Sequence, residues 1–340
     1  MPIPPQILFH RYFQTLYSID RQRYRGKHDL QGLGPGFDAL LLAIQEAWIE
    51  GLANERPVPE HVDHPPFHVD YVDSSVPNAL AFRYEGYSFI GITIALVFSM
   101  WDLSVRLSTS EEVASLLNLG SEGVGADAIR VILFRIMLMF VVTHEYTHHV
   151  HGHVISSSPD SAFSNEIIDS TQVGSLEQQA IEADADGYAV YHLLSNLIDG
   201  SARPPAVMLL KLEQSLQKAQ EKCLFDCFVV AVGAFLLLRP PPALDGDAVY
   251  RLTHPPQAAR MNCIMIWAIR WCRKVRPGLE VWMTSERFFD LMAGVATAIW
   301  GPTGDVQKGW GAQSAFLKSE AGIAYLQALG ASLSAHISSL

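Results

Sequence analysis

The sequence predicts an α+β protein that is mostly helical and contains a small β-sheet. Apolar residues recur at helical spacing in several segments, for example Phe37–Leu52. Two short runs rich in aromatic and β-branched residues, Ala79–Tyr84 and Tyr87–Ile94, flank the turn residues Glu85 and Gly86 and predict a hairpin. Hydrophobic residues make up 49% of the 340 positions and charged residues 17%, so the chain can bury a sizeable core.

These elements suggest three parts without a clear linker between them. Residues 1–66 are predicted to form an N-terminal helical extension. Residues 57–77 are rich in Pro, His and Asp and are predicted to form a loop that leads into a strand. Residues 67–275 are predicted to form the core of the protein. Residues 276–340 are predicted to be a C-terminal helical segment that packs on this core.

Two helices of the predicted core are especially well marked. Asp127 is a suitable N-cap for a long apolar helix that runs to about Val150. Residues 156–174 are polar and are predicted to form a loop. Leu176–Leu197 is predicted to be the next helix, with Gly200 as a stop signal.

Charge and hydropathy exclude several classes of function. The net charge is 24 − 35 = −11 and no basic stripe is present, so no nucleic-acid partner is predicted. The four cysteines form no CxxC pair, and the N-terminus lacks a signal-peptide pattern, so a reducing, cytoplasmic location is expected. The apolar runs Phe89–Trp101 and Cys223–Leu238 are too short or too interrupted for a membrane span, which needs about 20 apolar residues.

The chemistry centres on an HExxH motif, His144-Glu145-Tyr146-Thr147-His148, inside the predicted long helix. Residues four apart lie one turn apart on the same helix face, so both imidazoles can reach one ion. Zinc binds His nitrogens at about 2.0–2.1 Å and keeps one position open in catalytic sites. Glu145 is placed to accept a proton from an attacking water and to pass it to the leaving amine. HExxH also occurs by chance in helices with ordinary core histidines, so a third ligand is needed.

Glu182, in the sequence EADAD, is the predicted third ligand of one Zn²⁺ ion. It lies on the next helix, which can pack beside the first and turn a carboxylate onto the ion. Asp186, one turn later on the same face, is predicted to hydrogen-bond a ligand imidazole and orient its ring. Glu177 and Asp184 compete for these roles, but Glu177 falls in a first turn that is expected to be solvated and Asp184 points off the ligand face.

Several segments in order resemble a known family. Glu182–Asp186 looks like an ExxAD element, and Pro77–Ala81 followed by Phe89–Thr93 looks like an NAFA strand pair. Thr253–Arg260 looks like a THPxxxR element with one extra residue before the arginine. Together with HExxH, over residues 77–262, they resemble the gluzincin zinc peptidases, in particular the HtpX-type and CAAX prenyl proteases.

The resemblance implies a zincin-like catalytic core, with an active-site helix, a glutamate helix and a small sheet, and it assigns further roles. His254 would donate a hydrogen bond to the developing oxyanion, and Arg260 would pair with acidic groups around Glu182. Gly152-His153 after the motif is also seen in the Lit-type HExxH peptidases, the nearest alternative. A protein or peptide substrate would be held in extended form by β-addition along one strand, at Asn78, Ala79, Leu80 and Ala81.

The combined prediction is a cytoplasmic zinc endopeptidase in which metal-activated water attacks a peptide bond and Glu145 is the general base. A zinc-stabilised regulatory or binding module without turnover is one alternative, and a membrane-associated HtpX-type protease is another. His149, His151 and His153 are expected to be partly solvated at the helix end, where the dipole favours a protonated imidazole, and a second ion is the alternative.

Overall fold

The protein is mostly helical with one small sheet, as a computed structural model shows, and this confirms the predicted α+β class. Residues 57–65 and 156–173 of the two predicted loops lie outside the part of the chain that is described, and residues 67–72 of the first predicted loop form a strand instead. The structure describes residues 3–16, 18–34, 36–54, 66–119, 124–154, 174–212, 217–241, 244, 246–301 and 305–338.

The chain folds as two compact units. The first comprises Met1–Ser99 and His144–Asp169, and the second comprises Met100–Thr143 and Ser170–Leu340. In the first unit, three helices precede a three-stranded sheet. They are α1 (Pro5–Thr15), α2 (Ser18–Arg23) and α3 (Phe37–Asn54), followed by β1 (Phe67–Val72), β2 (Ala79–Tyr84) and β3 (Tyr87–Thr93).

The strand order of the sheet is β1-β3-β2, with β1 parallel and β2 antiparallel to β3. The predicted β2–β3 hairpin is confirmed, and its turn residues Glu85 and Gly86 both have positive φ, as a two-residue hairpin turn requires. The edge formed by β1 is bridged by Lys27, which pairs with Val72. Among the described strands, β2 pairs with β3 alone and forms the other edge.

Aromatic packing on α1 holds β2 in place. Tyr12 stacks on Phe82 with ring centroids 3.9 Å apart, and Phe9 contacts both Phe82 and Phe89 at 5.7 Å. Phe13 contacts Phe82 edge-on at 5.6 Å. Each aromatic pair contributes about 0.5–1.5 kcal/mol beyond its buried area. One face of the hairpin is therefore fixed against α1.

The remaining regular elements of the described chain are helices, and two of them, α4 and α6, contain residues of both units. A π-helical turn, Ser195–Asp199, follows α7, and a 3₁₀ turn, Ala248–Arg251, precedes α10. The helices are α4 (Ile94–Thr109), α5 (Glu111–Leu116), α6 (Ala126–Val150), α7 (Leu176–Leu194), α8 (Arg203–Leu209), α9 (Gln217–Leu236), α10 (Gln257–Val275), α11 (Ser285–Trp300), α12 (Asp305–Lys318) and α13 (Glu320–Ile337).

Helix α7 packs against both α10 and α13, and α9 packs against α11. Across the described ranges, every helix is either too short or too polar to traverse a lipid bilayer. The predicted N-cap of α6 was wrong by two residues. The helix already begins at Ala126, and Asp127 lies in its first turn, where its carboxylate pairs with Arg130 at 2.7 Å.

Candidate metal centre

The HExxH motif forms the last turns of α6, as predicted. The apolar turn before it is buried, and His144, Glu145 and His148 are each at most 4% exposed. The Nε2 atoms of His144 and His148 face each other at 3.1 Å. Ligand atoms on a tetrahedral zinc ion with bonds of about 2.0–2.1 Å lie about 3.3 Å apart. The two imidazoles thus point at a common position with the spacing that an ion requires.

Glu182 lies close to both imidazoles. One ligand atom from each of His144, His148 and Glu182 lies within 4.8 Å of the others, and all three side chains are buried. Helix α7 begins at the capping residue Ser175, whose hydroxyl accepts from the backbone N–H of Gln178 at 3.1 Å. Two imidazoles and a carboxylate are a donor set of catalytic zinc sites, so these residues could hold a metal ion of that kind.

Glu182 also lies beside His254. The His254 Nε2 and Glu182 Oε2 atoms are 3.3 Å apart, and both side chains are buried. The Nδ1 atom of His254 lies 3.1 Å from the Thr253 hydroxyl. If that hydroxyl donates to Nδ1, the imidazole proton stays on Nε2 and faces the carboxylate.

Long-range hydrogen bonds hold the segment that carries His254. The Gln179 side-chain amide donates to the carbonyls of Val249 and Leu252, both at 2.9 Å. Its carbonyl accepts from the Tyr325 hydroxyl at 2.6 Å. Burial raises the pKa of Tyr325 well above its usual value, so this hydroxyl stays protonated and can donate. The sequence analysis missed Gln179 and Tyr325, although Gln179 lies one helical turn before Glu182.

The backbone at Gly174 lies close to the backbone of Arg251 and Leu252, in the segment that carries His254. The N–H of Gly174 donates to the Arg251 carbonyl at 2.8 Å. A Cβ atom at Gly174 would lie only 2.3 Å from the Leu252 carbonyl oxygen, which real structures do not tolerate. Glycine is therefore required where the chain enters α7.

Arg260 and Asp186 form a buried, two-pronged ion pair. The guanidinium Nε and Nη2 atoms donate to the two carboxylate oxygens at 2.7 and 2.8 Å. Arg260 is thus paired with an acidic group one turn from Glu182. Asp186 was predicted to orient a ligand imidazole, and the hydrogen bonds described for it run to Arg260. Burial, with a smaller contribution from the Asp186 charge, raises the pKa of Cys263 to about 11, so its thiol stays neutral.

The predicted substrate strand is the edge strand β2. Asn78 precedes it, and its side-chain amide donates to the Tyr24 hydroxyl at 3.1 Å while its backbone N–H donates to the Thr93 hydroxyl at 2.8 Å. Alternate residues of an edge strand direct backbone groups away from the paired strand, where an extended peptide can add. Along β2, Ala79, Leu80 and Ala81 pair with Ile92, Gly91 and Ile90 of β3.

The expectation that His149 is partly solvated was wrong. His149 is 1% exposed, and its Nε2 lies 2.9 Å from the Phe89 carbonyl on β3, which joins the end of α6 to the sheet. His151 and His153 are partly exposed, in line with the expectation. With Asp184 they form a second group whose ligand atoms lie within 4.8 Å of one another.

Three comparisons with known proteins found no match to this chain. No family model, no curated protein and no solved structure matches this chain.

Proposed function

We propose that this chain is a zinc-dependent endopeptidase of the gluzincin type with a zincin-like core, in which His144, His148 and Glu182 hold one Zn²⁺ ion. The observation that carries the proposal is the convergence of these three buried side chains within 4.8 Å, with Glu145 next to the first of them. Two neutral imidazoles and one carboxylate are a typical ligand set for zinc, whereas calcium and magnesium prefer ligand sets made of oxygen atoms alone.

When bound, zinc would supply Lewis acidity toward the scissile carbonyl and would lower the pKa of water. Two side chains supply the proton transfer and the hydrogen bond to the oxyanion. Glu145 accepts the proton of the attacking water and delivers it to the leaving amine, a role worth about 10²–10⁴-fold in rate. His254 donates from Nε2 to the oxyanion as the carbonyl becomes tetrahedral. Its Nε2 lies 3.3 Å from the Glu182 carboxylate, which places the ring next to the proposed ligand group.

The edge strand β2 supports an extended protein or peptide substrate. Its backbone is held on one side by β3, and the side chains of Leu80, Phe82 and Tyr84 pack in the cluster that includes α1. A rigid edge of this kind offers backbone hydrogen bonds to a substrate without selecting strongly for its side chains. This fits an endopeptidase, which binds within a chain and not at a terminus.

The variant Glu145→Gln tests the proposal, because it keeps the shape of the side chain and removes its basicity. We expect cleavage to fall by about 10²–10⁴-fold while zinc content stays the same. Cleavage would be measured by labelling new N-termini in a denatured proteome, and zinc by elemental analysis. The control is Glu177→Gln, an exposed glutamate in the first turn of α7. Full activity in Glu145→Gln, or a wild-type protein without zinc, would overturn the proposal.

One observation favours a second candidate, a zinc-stabilised binding module without turnover. His254 lies close enough to Glu182 to be considered as a fourth ligand, and four protein ligands are typical of structural zinc sites. The group within 4.8 Å consists of two histidines and one glutamate, and catalytic zinc sites with these three ligands keep the fourth position open. His254→Ala separates the two candidates: a structural site predicts a large loss of zinc affinity, and a catalytic site predicts lost turnover with zinc retained.

A further inference from the structure

The two ring nitrogens of His148 face different partners. Its Nε2 lies 3.1 Å from His144 Nε2, on the side of the proposed ion. Its Nδ1 lies 3.0 Å from Nδ1 of His153. A neutral imidazole that coordinates through Nε2 carries its proton on Nδ1, so that nitrogen is a donor. His153 must then accept with Nδ1 and carry its own proton on Nε2.

The backbone after α6 brings His153 to this position. The helix ends at Val150, and Gly152 adopts a positive φ of 72°, which reverses the chain at low cost only for glycine. The N–H of Val154 then donates back to the carbonyl of His148 at 3.1 Å. The same residue, His148, is thus contacted by the backbone and by the ring of the returning segment. The two imidazole rings meet edge-on, with centroids 5.1 Å apart.

We propose that His153 is the positioning residue of the metal centre: it accepts a hydrogen bond from Nδ1–H of His148 and holds that ring in the tautomer and orientation that present Nε2 to zinc. This inference rests on the proposed zinc site. Metal-bound histidines usually donate their second ring N–H to such a partner, and loss of the partner typically lowers metal affinity about 10–100-fold.

A competing role for His153 is as a ligand of a second ion. His151, His153 and Asp184 could supply the ligands. The two roles predict different effects of changing His151 on zinc binding, because the His151 ring takes no part in the His148–His153 hydrogen bond. A second ion requires both His151 and His153, whereas positioning requires His153 alone.

The test compares His153→Ala with His153→Asn, His153→Gln and His151→Ala. The Asn carbonyl oxygen is attached at the same side-chain position as Nδ1 of histidine, so it can accept the same hydrogen bond. The Gln carbonyl reaches the position of Nε2 instead. Zinc affinity would be measured by competition with a chromogenic chelator. The visible spectrum of the Co²⁺-substituted protein would report ligand geometry, and circular dichroism would verify folding.

We expect zinc to bind about 10–100-fold more weakly to His153→Ala, with an altered Co²⁺ spectrum. Affinity should be largely restored in His153→Asn but not in His153→Gln, and His151→Ala should resemble the wild type. If wild-type protein binds no zinc, the proposed function fails and this inference falls with it. If wild type binds zinc and His153→Ala binds it equally well, the inference alone is wrong. Two zinc ions per chain, with one lost in His151→Ala, would replace the positioning role by a second site.

Discussion

Two histidine-bearing segments of the molecule, residues 144–153 and residues 249–260, are held in place by different means. Residues 144–153 contain His144, His148 and His153, whose contacts with one another span four or five positions along the chain. Residues 249–260 contain His254 and Arg260. The described side-chain bonds that anchor this second segment to α7 span 70–74 positions, and the Tyr325 bond that supports them spans 146.

Because the two segments are held by different contacts, metal binding and the proposed oxyanion stabilisation should depend on different parts of the chain. Helical periodicity and one glycine turn set the geometry of the first segment, so changes elsewhere should affect it little. The second segment depends on side chains of α7, α10 and α13. Substitutions there should loosen His254 while the two imidazole ligands on α6 keep their spacing. Loss of zinc and loss of oxyanion stabilisation should therefore be separable by mutation.

The largest effect is expected from Glu182→Ala. This change removes the carboxylate that belongs to the ligand group and contacts His254 as well. Because it deletes a ligand itself, we expect zinc affinity to fall by more than the roughly 100-fold upper range for loss of an outer partner. Chelator competition would measure it. Glu177→Ala on the same helix is the matched control, and equal zinc binding by the two variants would assign the third ligand to another residue.

A smaller effect, on the second segment alone, is expected from Arg260→Met. It leaves the Asp186 carboxylate buried without its guanidinium, which typically costs about 3–5 kcal/mol in the free energy of unfolding. The control is Arg106→Met, because Arg106 and Asp102 form a pair of similar length, 2.8 Å, whose side chains are more than half exposed. Exposed pairs contribute about 0–1 kcal/mol.

Urea denaturation with and without zinc would compare the two arginine variants. If the two variants lose the same free energy of unfolding, the buried Arg260–Asp186 pair stabilises residues 249–260 no more than an exposed ion pair would. If Arg260→Met is the more destabilised but still binds zinc, the separation between the two segments is confirmed.

The sequence predicts the first segment better than the second for a physical reason. HExxH within an apolar helix fixes the spacing of two candidate ligands because a helix repeats every 3.6 residues. The β2–β3 hairpin was also predictable, since its turn and strand residues are contiguous. Gln179 and Tyr325 carry no local signal: their roles arise only when α13 packs on α7. Gly152 lies in the turn after α6, and the effect of this turn on the ring of His148 depends on the path of the returning chain, which no local pattern indicates.

The smallest effect is expected from Tyr325→Phe, which tests most directly whether the two segments are independent. The change removes one hydroxyl from a fully buried ring and leaves the Gln179 carbonyl without that donor, at a cost of about 1–3 kcal/mol in unfolding free energy. Tyr250→Phe is the control, since Tyr250 contacts Tyr325 edge-on and has no hydrogen bond in the described structure. Because Gln179 steadies the carbonyls of Val249 and Leu252, Tyr325→Phe should lower kcat for peptide cleavage more than it raises KM, with zinc affinity unchanged. If zinc affinity also falls in this variant, α13 supports Glu182 on α7 as well, and the two segments are then not independent.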